Sequence, residues 1–367
     1  MNRLQSYYEQ LQFPIKVLFF SSFLIAIGSL FVNPYISTFI NVEDTIIFTI
    51  SQILLYCGGT ILSYFPFYIF IKLLAHRNEE QNIVVTGIIS YVIFVIVLTI
   101  LTPPTFEKAV YESVGEIVLL GDKTGIFNTG IFGLLGIYLI VTYIYQSTRD
   151  SKLFSLVSYV DRDTVRLIYS MLGSAVLAFA FSYLWPIVIQ SIYKVLTFIA
   201  TDVNNPMTMF AYGGFERIMS LFNLDSILHQ EIWFGPLGGT WVDLSGQTFN
   251  GDVAIWTAQL NESVNVIGTS DAGRFTSTYY IINIFAVPAY LLGIYSTFTN
   301  KQYLKRNVFI LALSLIVSML SGVLLPVELL MLVTSPMIYV FHIFMTSLVF
   351  AVLSGLSIYL GFSFTGN

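Results

Sequence analysis

The chain has 367 residues, 56% of them hydrophobic and only 10% charged, with a mean hydropathy of +0.79 and a formal net charge of -5. A soluble domain carries roughly 25% charged residues, so this composition describes a polytopic membrane protein, and the acidic balance argues against nucleic acid as a partner. The single cysteine, Cys57, excludes an internal disulfide and a cysteine metal cluster, and no nucleotide or other cofactor fingerprint is present. A spanning helix needs about 20 apolar residues to cross a hydrocarbon core of roughly 30 Å. Met1 to Phe13 is mostly polar and no small-residue cleavage site follows, so the run 15–35 reads as a retained span rather than a signal peptide. Residues 45–75 form a longer apolar stretch punctuated by Gly58-Gly59 and Pro66, which predicts a short helix and then a second one. The run 83–102 ends at Pro103-Pro104, and 126–146 follows. Residues 167–200 are too many for one perpendicular crossing and must tilt, kink at Pro186 or leave the bilayer.

Basic residues set the expected orientation. Arg3, Lys16, Lys72, Arg77, Arg149, Lys152, Arg162, Arg166, Lys301, Lys305 and Arg306 alternate with acidic loops at Glu43-Asp44 and at 107–122. This asymmetry predicts a cytoplasmic N-terminus, with the loops at 72–80, 147–166 and 299–307 inside and 103–125 outside. Apolar residues interspersed with polar ones at 147–166 suit either an interfacial amphipathic helix or a solvated connector. From 201 to 279 the chain turns polar and glycine-rich, too polar to face lipid and too long for an ordinary loop. Within it, Gly239 to Asp252 alternates apolar and polar residues around Ser245-Gly246, the pattern of a small β-hairpin. Apolar spans resume at 280–298, 307–330 and 336–360.

The stretch Ser321 to His342 organises the C-terminal half. Glu328 is a lone carboxylate in an apolar run, two residues after Pro326. A carboxylate at membrane depth is expensive and normally faces a cavity, a partner or a substrate. A broken helix is tolerated there only where protein or a wet cavity satisfies its backbone. The stretch therefore reads as a re-entrant, site-lining hairpin with Glu328 as its functional residue, the alternative being a paired or snorkelling structural Glu. The expected fold is an all-α polytopic membrane protein of about 8–10 transmembrane helices with two re-entrant hairpins and the small β-hairpin excursion.

Several segments, in order, resemble the membrane-embedded IIC permease of the bacterial sugar phosphotransferase system, glucose/maltose branch. Gly273-Arg-Phe…Pro288-Ala-Tyr…Tyr295 is similar to the family's Gly-Arg/Lys-Phe…Leu-Pro-Ala…Met-Tyr pattern. Ser321 to His342 is similar to Thr-Gly-Ile-Thr-Glu-Pro-Ile-Glu-Phe…Ala-Pro…Leu-Tyr…His. Gly361-Phe-Ser-Phe-Thr-Gly366, Tyr212-Gly-Gly-Phe-Glu-Arg217 and Phe65-Pro-Phe-Tyr-Ile-Phe70 resemble further family segments. The resemblance implies a IIC-type permease that binds and translocates a hexose or disaccharide in the bacterial cytoplasmic membrane. It also implies a homodimer, with residues 1–165 as a scaffold and dimerisation half and 166–367 as a substrate half, and phosphorylation of the sugar by separate IIB and IIA components, since the chain ends after its last span and Cys57 lies in an apolar segment.

The departures from the family pattern fall in the substrate segments. The family's Glu-Pro-Ile-Glu is Leu325-Pro326-Val327-Glu328 here, and its Gly-Leu-His-His is Asn223-Leu224-Asp225-Ser226. The resemblance implies that both segments line the sugar site, so Glu328, Asp225, Ser226, His229 and Arg274 are the candidate substrate-binding residues, with no catalytic or metal-binding residue. Glu328 and Asp225 are expected to face one aqueous cavity. Asp225 otherwise caps a helix start on the amides of Ile227 or Leu228, and Arg274 otherwise anchors a helix end. Glu216 and Arg217 are adjacent and expected to point apart, with Arg217 in a structural ion pair. The lost acid and histidines leave a second function open: a diverged protein uncoupled from phosphorylation, acting as a facilitator, a proton-coupled carrier or a membrane sensor.

Overall fold

The computed structural model describes residues 3–32, 39–41, 45–77, 82–102, 129–148, 160–261, 272–297 and 301–361. In chain order these form α1 (Arg3–Val32), α2 (Ile46–Ser63), α3 (Phe65–Arg77), α4 (Asn82–Leu101), α5 (Gly130–Ser147), α6 (Arg162–Thr201), α7 (Pro206–Leu221) and α8 (Asp225–Trp233). There follow β1 (Thr240–Val242), β2 (Thr248–Asn250), α9 (Asp252–Asn261), α10 (Ser277–Thr297), α11 (Lys301–Ser321), α12 (Leu325–Thr334) and α13 (Pro336–Gly355). Among the described residues, 7 helices are long and apolar enough to cross a membrane, and three shorter apolar segments, Phe65–His76, Leu311–Ser321 and Leu325–Thr334, accompany them. The protein is an all-α polytopic membrane protein with one small sheet, as its composition dictates. The outer loop expected at 103–125 and most of the amphipathic segment at 147–166 lie outside the described residues.

Two compact units interleave along the sequence: 1–14, 64–195 and 222–227 form the first, and 15–63, 196–221 and 228–367 the second. In the first unit α5 packs against both α3 and α4. Gly87 lets α4 close on Leu74 and Phe70 of α3, and the hydroxyls of Thr86 and Tyr145 meet at 2.9 Å, tying α4 to α5. Arg166, one of the residues counted toward a basic loop, is buried at the start of α6. Its Nε donates to Thr148 Oγ1 at 2.8 Å, Nη1 reaches Asp163 at 3.2 Å, and the guanidinium lies 4.6 Å from the Tyr145 ring centroid. The forty residues of α6 run through Pro186 as one helix, about 60 Å of rise at 1.5 Å per residue, roughly twice the hydrocarbon core. Asp161 caps it, accepting from the Thr164 amide at 2.8 Å.

In the second unit, α1 and α2 approach through glycines. A Cβ on Gly28 would stand 2.5 Å from the Leu55 nitrogen, and one on Gly58 would stand 2.6 Å from the Ser21 oxygen. Here the structure corrects the expected break at Gly58-Gly59: α2 continues through both, and the chain breaks at Tyr64 instead. In a membrane helix a small residue serves close packing more than helix breaking. The break falls ahead of Pro66, which takes the second position of α3, where its missing N–H costs nothing.

The expected span 307–330 is likewise two elements. Helix α11 stops at Ser321, Gly322 adopts φ +71, and α12 restarts at Leu325 with Pro326 in its first turn. The left-handed glycine ends the helix, and proline begins the next one. Asn283, in a π-helical turn of α10 at Ile282–Ala286, braces this corner. Its Nδ2 donates to the Gly322 carbonyl at 3.2 Å, and its Oδ1 accepts from Ser318 Oγ at 2.8 Å. The ten residues of α12 rise about 15 Å, half a bilayer core. Ser335, extended at φ -156, separates α12 from α13, which is the broken hairpin the proline spacing predicted.

The β-hairpin also stands as read, with Thr240 opposite Asn250, Trp241 opposite Phe249 and Val242 opposite Thr248 in antiparallel register. Gly246 takes φ +85 in its turn, and Asp243 holds that turn through the Gln247 amide at 2.7 Å. The hairpin leads into Asp252, the first residue of α9, whose carboxylate closes a turn remote in sequence. Oδ1 accepts from the amides of Gly273 at 2.8 Å and Arg274 at 3.2 Å, and Oδ2 accepts from Phe275 at 3.1 Å.

A buried guanidinium held by two carboxylates

The site is assembled by α7, the part of α8 from Leu228 onward, α10, α12 and α13, all in the second unit. Its placement begins with the contact of α7 on α13. Gly213 and Gly214 carry no side chain where α13 passes: a Cβ on Gly213 would stand 2.5 Å from Phe350 Cδ2 and 3.1 Å from Ser347 Cα. With the helices that close, the next turn of α7 presents Glu216 and Arg217 to the interior, where they are 0% and 3% exposed.

Arg217 is the hub. Its Nε donates to Glu216 Oε2 at 2.5 Å, and its Nη2 donates to Glu216 Oε1 and, at 2.6 Å, to the Tyr279 hydroxyl. Nη1 donates to Glu328 Oε1 at 2.8 Å. The Tyr279 hydroxyl in turn reaches Glu216 Oε1 at 2.5 Å, and its ring centroid lies 5.0 Å from the guanidinium carbon. From α13, the Tyr339 hydroxyl donates to the Arg217 carbonyl at 3.1 Å. His342 Nε2 lies 3.1 Å from Glu328 Oε1; a ring nitrogen that donates to a carboxylate carries its proton there. His229 Nε2 lies 3.5 Å from Glu216 Oε1, and the ring stacks on Trp233 with centroids 3.6 Å apart.

Two carboxylates against one guanidinium leave the cluster rich in acceptors. Glu328 shows where the surplus lies. The residue is 2% exposed and its Oε1 has both Arg217 and His342, yet its Oε2 accepts no hydrogen bond. A buried carboxylate oxygen without a donor is costly, of order 1–3 kcal/mol or more for a charged group. It points to a donor that arrives from elsewhere.

Of the residues singled out from sequence, Glu328 and His229 are brought to this cluster. Arg274 lies by the Asp252 turn, 6% exposed, its guanidinium carbon 4.7 Å from the Tyr359 ring centroid. Asp225 and Ser226 open α8 within the first unit. They follow Asn223, which takes φ +56 where the resembled pattern has glycine. The Ile227 amide bonds the Leu224 carbonyl there.

Sequence reasoning set Glu216 and Arg217 aside because neighbouring helical residues project apart. The structure corrects this: the long guanidinium turns back so that both carboxylate oxygens of Glu216 meet it. A charged pair inside an apolar helix was signal enough to keep both as site candidates. His342 lay in the same stretch as Glu328, at the distance a hairpin closes. Tyr279 carried no mark in the sequence. The family model described as "Phosphotransferase system, EIIC" matches residues 9–347 of the chain.

Proposed function

Because the chain belongs to the phosphotransferase system EIIC family, the sugar-permease component that works in the membrane with IIB and IIA proteins, we propose that the Arg217–Glu328 cluster is its sugar-binding site. The ligand is a neutral hexose or disaccharide of the glucose/maltose branch. The observation that carries this reading is Glu328 Oε2, a buried acceptor with no donor of its own. A sugar hydroxyl supplies that donor, and Arg217 and His342 hold the carboxylate in place by its other oxygen. Hydroxyls next to a buried carboxylate form charge-assisted hydrogen bonds, which are stronger than neutral ones. Glu216 then serves to balance Arg217, so that the guanidinium does not neutralise Glu328 alone.

The test is equilibrium binding of glucose, maltose, N-acetylglucosamine and trehalose to purified protein. Glu328→Gln keeps the shape and removes the charge. It is expected to weaken the preferred sugar about tenfold to a hundredfold, the worth of a hydrogen bond to a charged group, while leaving the protein folded. Unchanged affinity in that variant would remove Glu328 from the site. Uptake into proteoliposomes that requires added IIB protein and a phosphoryl donor fits the coupled permease. Sugar accumulation driven by a proton gradient without them fits the uncoupled carrier. The proposal includes a cytoplasmic N-terminus and a homodimer. In a Cys57→Ser background, impermeant reagent should reach a cysteine at position 112 and not at 152 in intact cells, and light scattering should give twice the chain mass.

A further inference from the structure

A polar cavity lies in the same unit, beside the β-hairpin, and shares no residue with the Arg217 cluster. Its volume is about 580 Å³, within the range of small-molecule sites. Trp241 of β1 lines it, together with Asp252 and Gln259 of α9 and Arg274. Gln259 is 3% exposed, and its Oε1 accepts no hydrogen bond. An amide oxygen so deep, lining a cavity of this size, marks a place for a donor that the fold does not supply. The oxygens of Asp252 are taken by the amides of Gly273, Arg274 and Phe275. Asp252 therefore has no free acceptor to offer a ligand, and its carboxyl interacts with Arg274.

The lining thus offers one open acceptor, a guanidinium over the Tyr359 ring and an indole ring. An apolar ligand would leave Gln259 unmet, and a phosphorylated one would set its charge beside the Asp252 carboxyl with Arg274 as the single cation of the lining. A neutral polyhydroxylated ring suits all of these features, with hydroxyls for the amide and guanidinium and a C–H face for the indole. We infer that the hairpin cavity is a second saccharide site, taking one neutral sugar ring against Trp241, Gln259 and Arg274. The inference rests on the chain being a sugar permease, and not on Glu328 being the other site.

The experiment is equilibrium dialysis of radiolabelled glucose, maltose and N-acetylglucosamine against the full chain in nanodiscs. The expected result is two bound sugars per chain for the wild type. Gln259→Leu and Trp241→Leu, each checked for wild-type elution and melting, should lose one of them, and Glu328→Gln the other. The half-buried Trp241 lies on the small sheet, so its variant keeps the test open should Gln259→Leu fail to fold. Binding confined to one site that only Glu328→Gln removes would overturn the second site and leave the first. One site that only the Gln259 and Trp241 variants remove would uphold it and sink the first. Competition by glucose 6-phosphate as effective as that by glucose would overturn the neutral-ligand assignment, and no binding of any of the three sugars would overturn the site itself.

Discussion

Glu328 and Asp252 invite comparison. Each is an acid in the first turn of a helix of 10 residues, and they are 2% and 1% exposed. They are held in opposite ways. Asp252 has both oxygens closed by three backbone amides of one turn, 21 to 23 residues away in sequence. Glu328 takes side-chain partners from other helices, Arg217 and His342, on one oxygen, and its second oxygen is left open. Backbone amides do not move without moving the fold, whereas side-chain partners and an open lone pair can exchange with a ligand. The first arrangement is architecture. The second leaves a place for a ligand's donor, which is what the proposed sugar site uses.

The largest expected effect comes from taking the cation out of the open arrangement. Arg217→Gln leaves two buried carboxylates facing each other without a counter-charge, and removing one partner of a buried ion pair typically costs about 3–5 kcal/mol. The melting temperature of the detergent-solubilised protein should fall sharply or the variant should fail to accumulate. A near-wild-type melting curve would show that the cluster is not held by charge.

Next comes Asp252→Ala. It strands the amides of Gly273, Arg274 and Phe275, and leaving even one such group unsatisfied costs about 1–3 kcal/mol. The melting temperature should drop while Glu328-dependent sugar binding persists in the folded fraction. Loss of that binding in a fully folded Asp252→Ala sample would abolish the distinction drawn between the two acids.

The smallest effect is a pH slope. Burial lifts the Asp252 carboxyl to about 7, against the three amides and Arg274, which pull it down. In the unfolded chain an Asp titrates near about 3.9. Between those values the folded chain holds a proton that the unfolded chain has lost. The contribution of this group to stability is therefore full at low pH and disappears as pH rises through about 7. Melting temperature should fall between about pH 5 and about pH 8, and Asp252→Asn should flatten that component. A wild-type slope of the opposite sign would mean that the amides win over burial.

The spans were legible because lipid imposes a simple rule, long apolar runs, that any helix must obey. The alternation at 239–252 was legible for a similar reason, since a two-residue period has few other uses. What escaped was tertiary. Arg217 and Glu328 stand 111 residues apart, and Tyr279 is 62 residues from Arg217, so nothing local announces that they meet. Gly58 was misread for the opposite reason: its local meaning as a breaker was clear, but its neighbours Ser21 and Ile25 on another helix decide what it does. Glu328 stood out because its cost at membrane depth is visible without knowing its partners.

Gly213 and Gly214 shape the site by what they lack. Neither touches the charged residues through a side chain, yet the seat of Arg217 depends on how deeply α7 settles on α13. A methyl group at 213 would press on Phe350 and on the Ser347 backbone, and α7 would have to lift or roll, carrying the guanidinium away from Glu328. Aim in this permease is thus a property of a bare stretch of helix one turn from the chemistry. A chain could keep every polar residue of the cluster and still lose its alignment to a single added carbon.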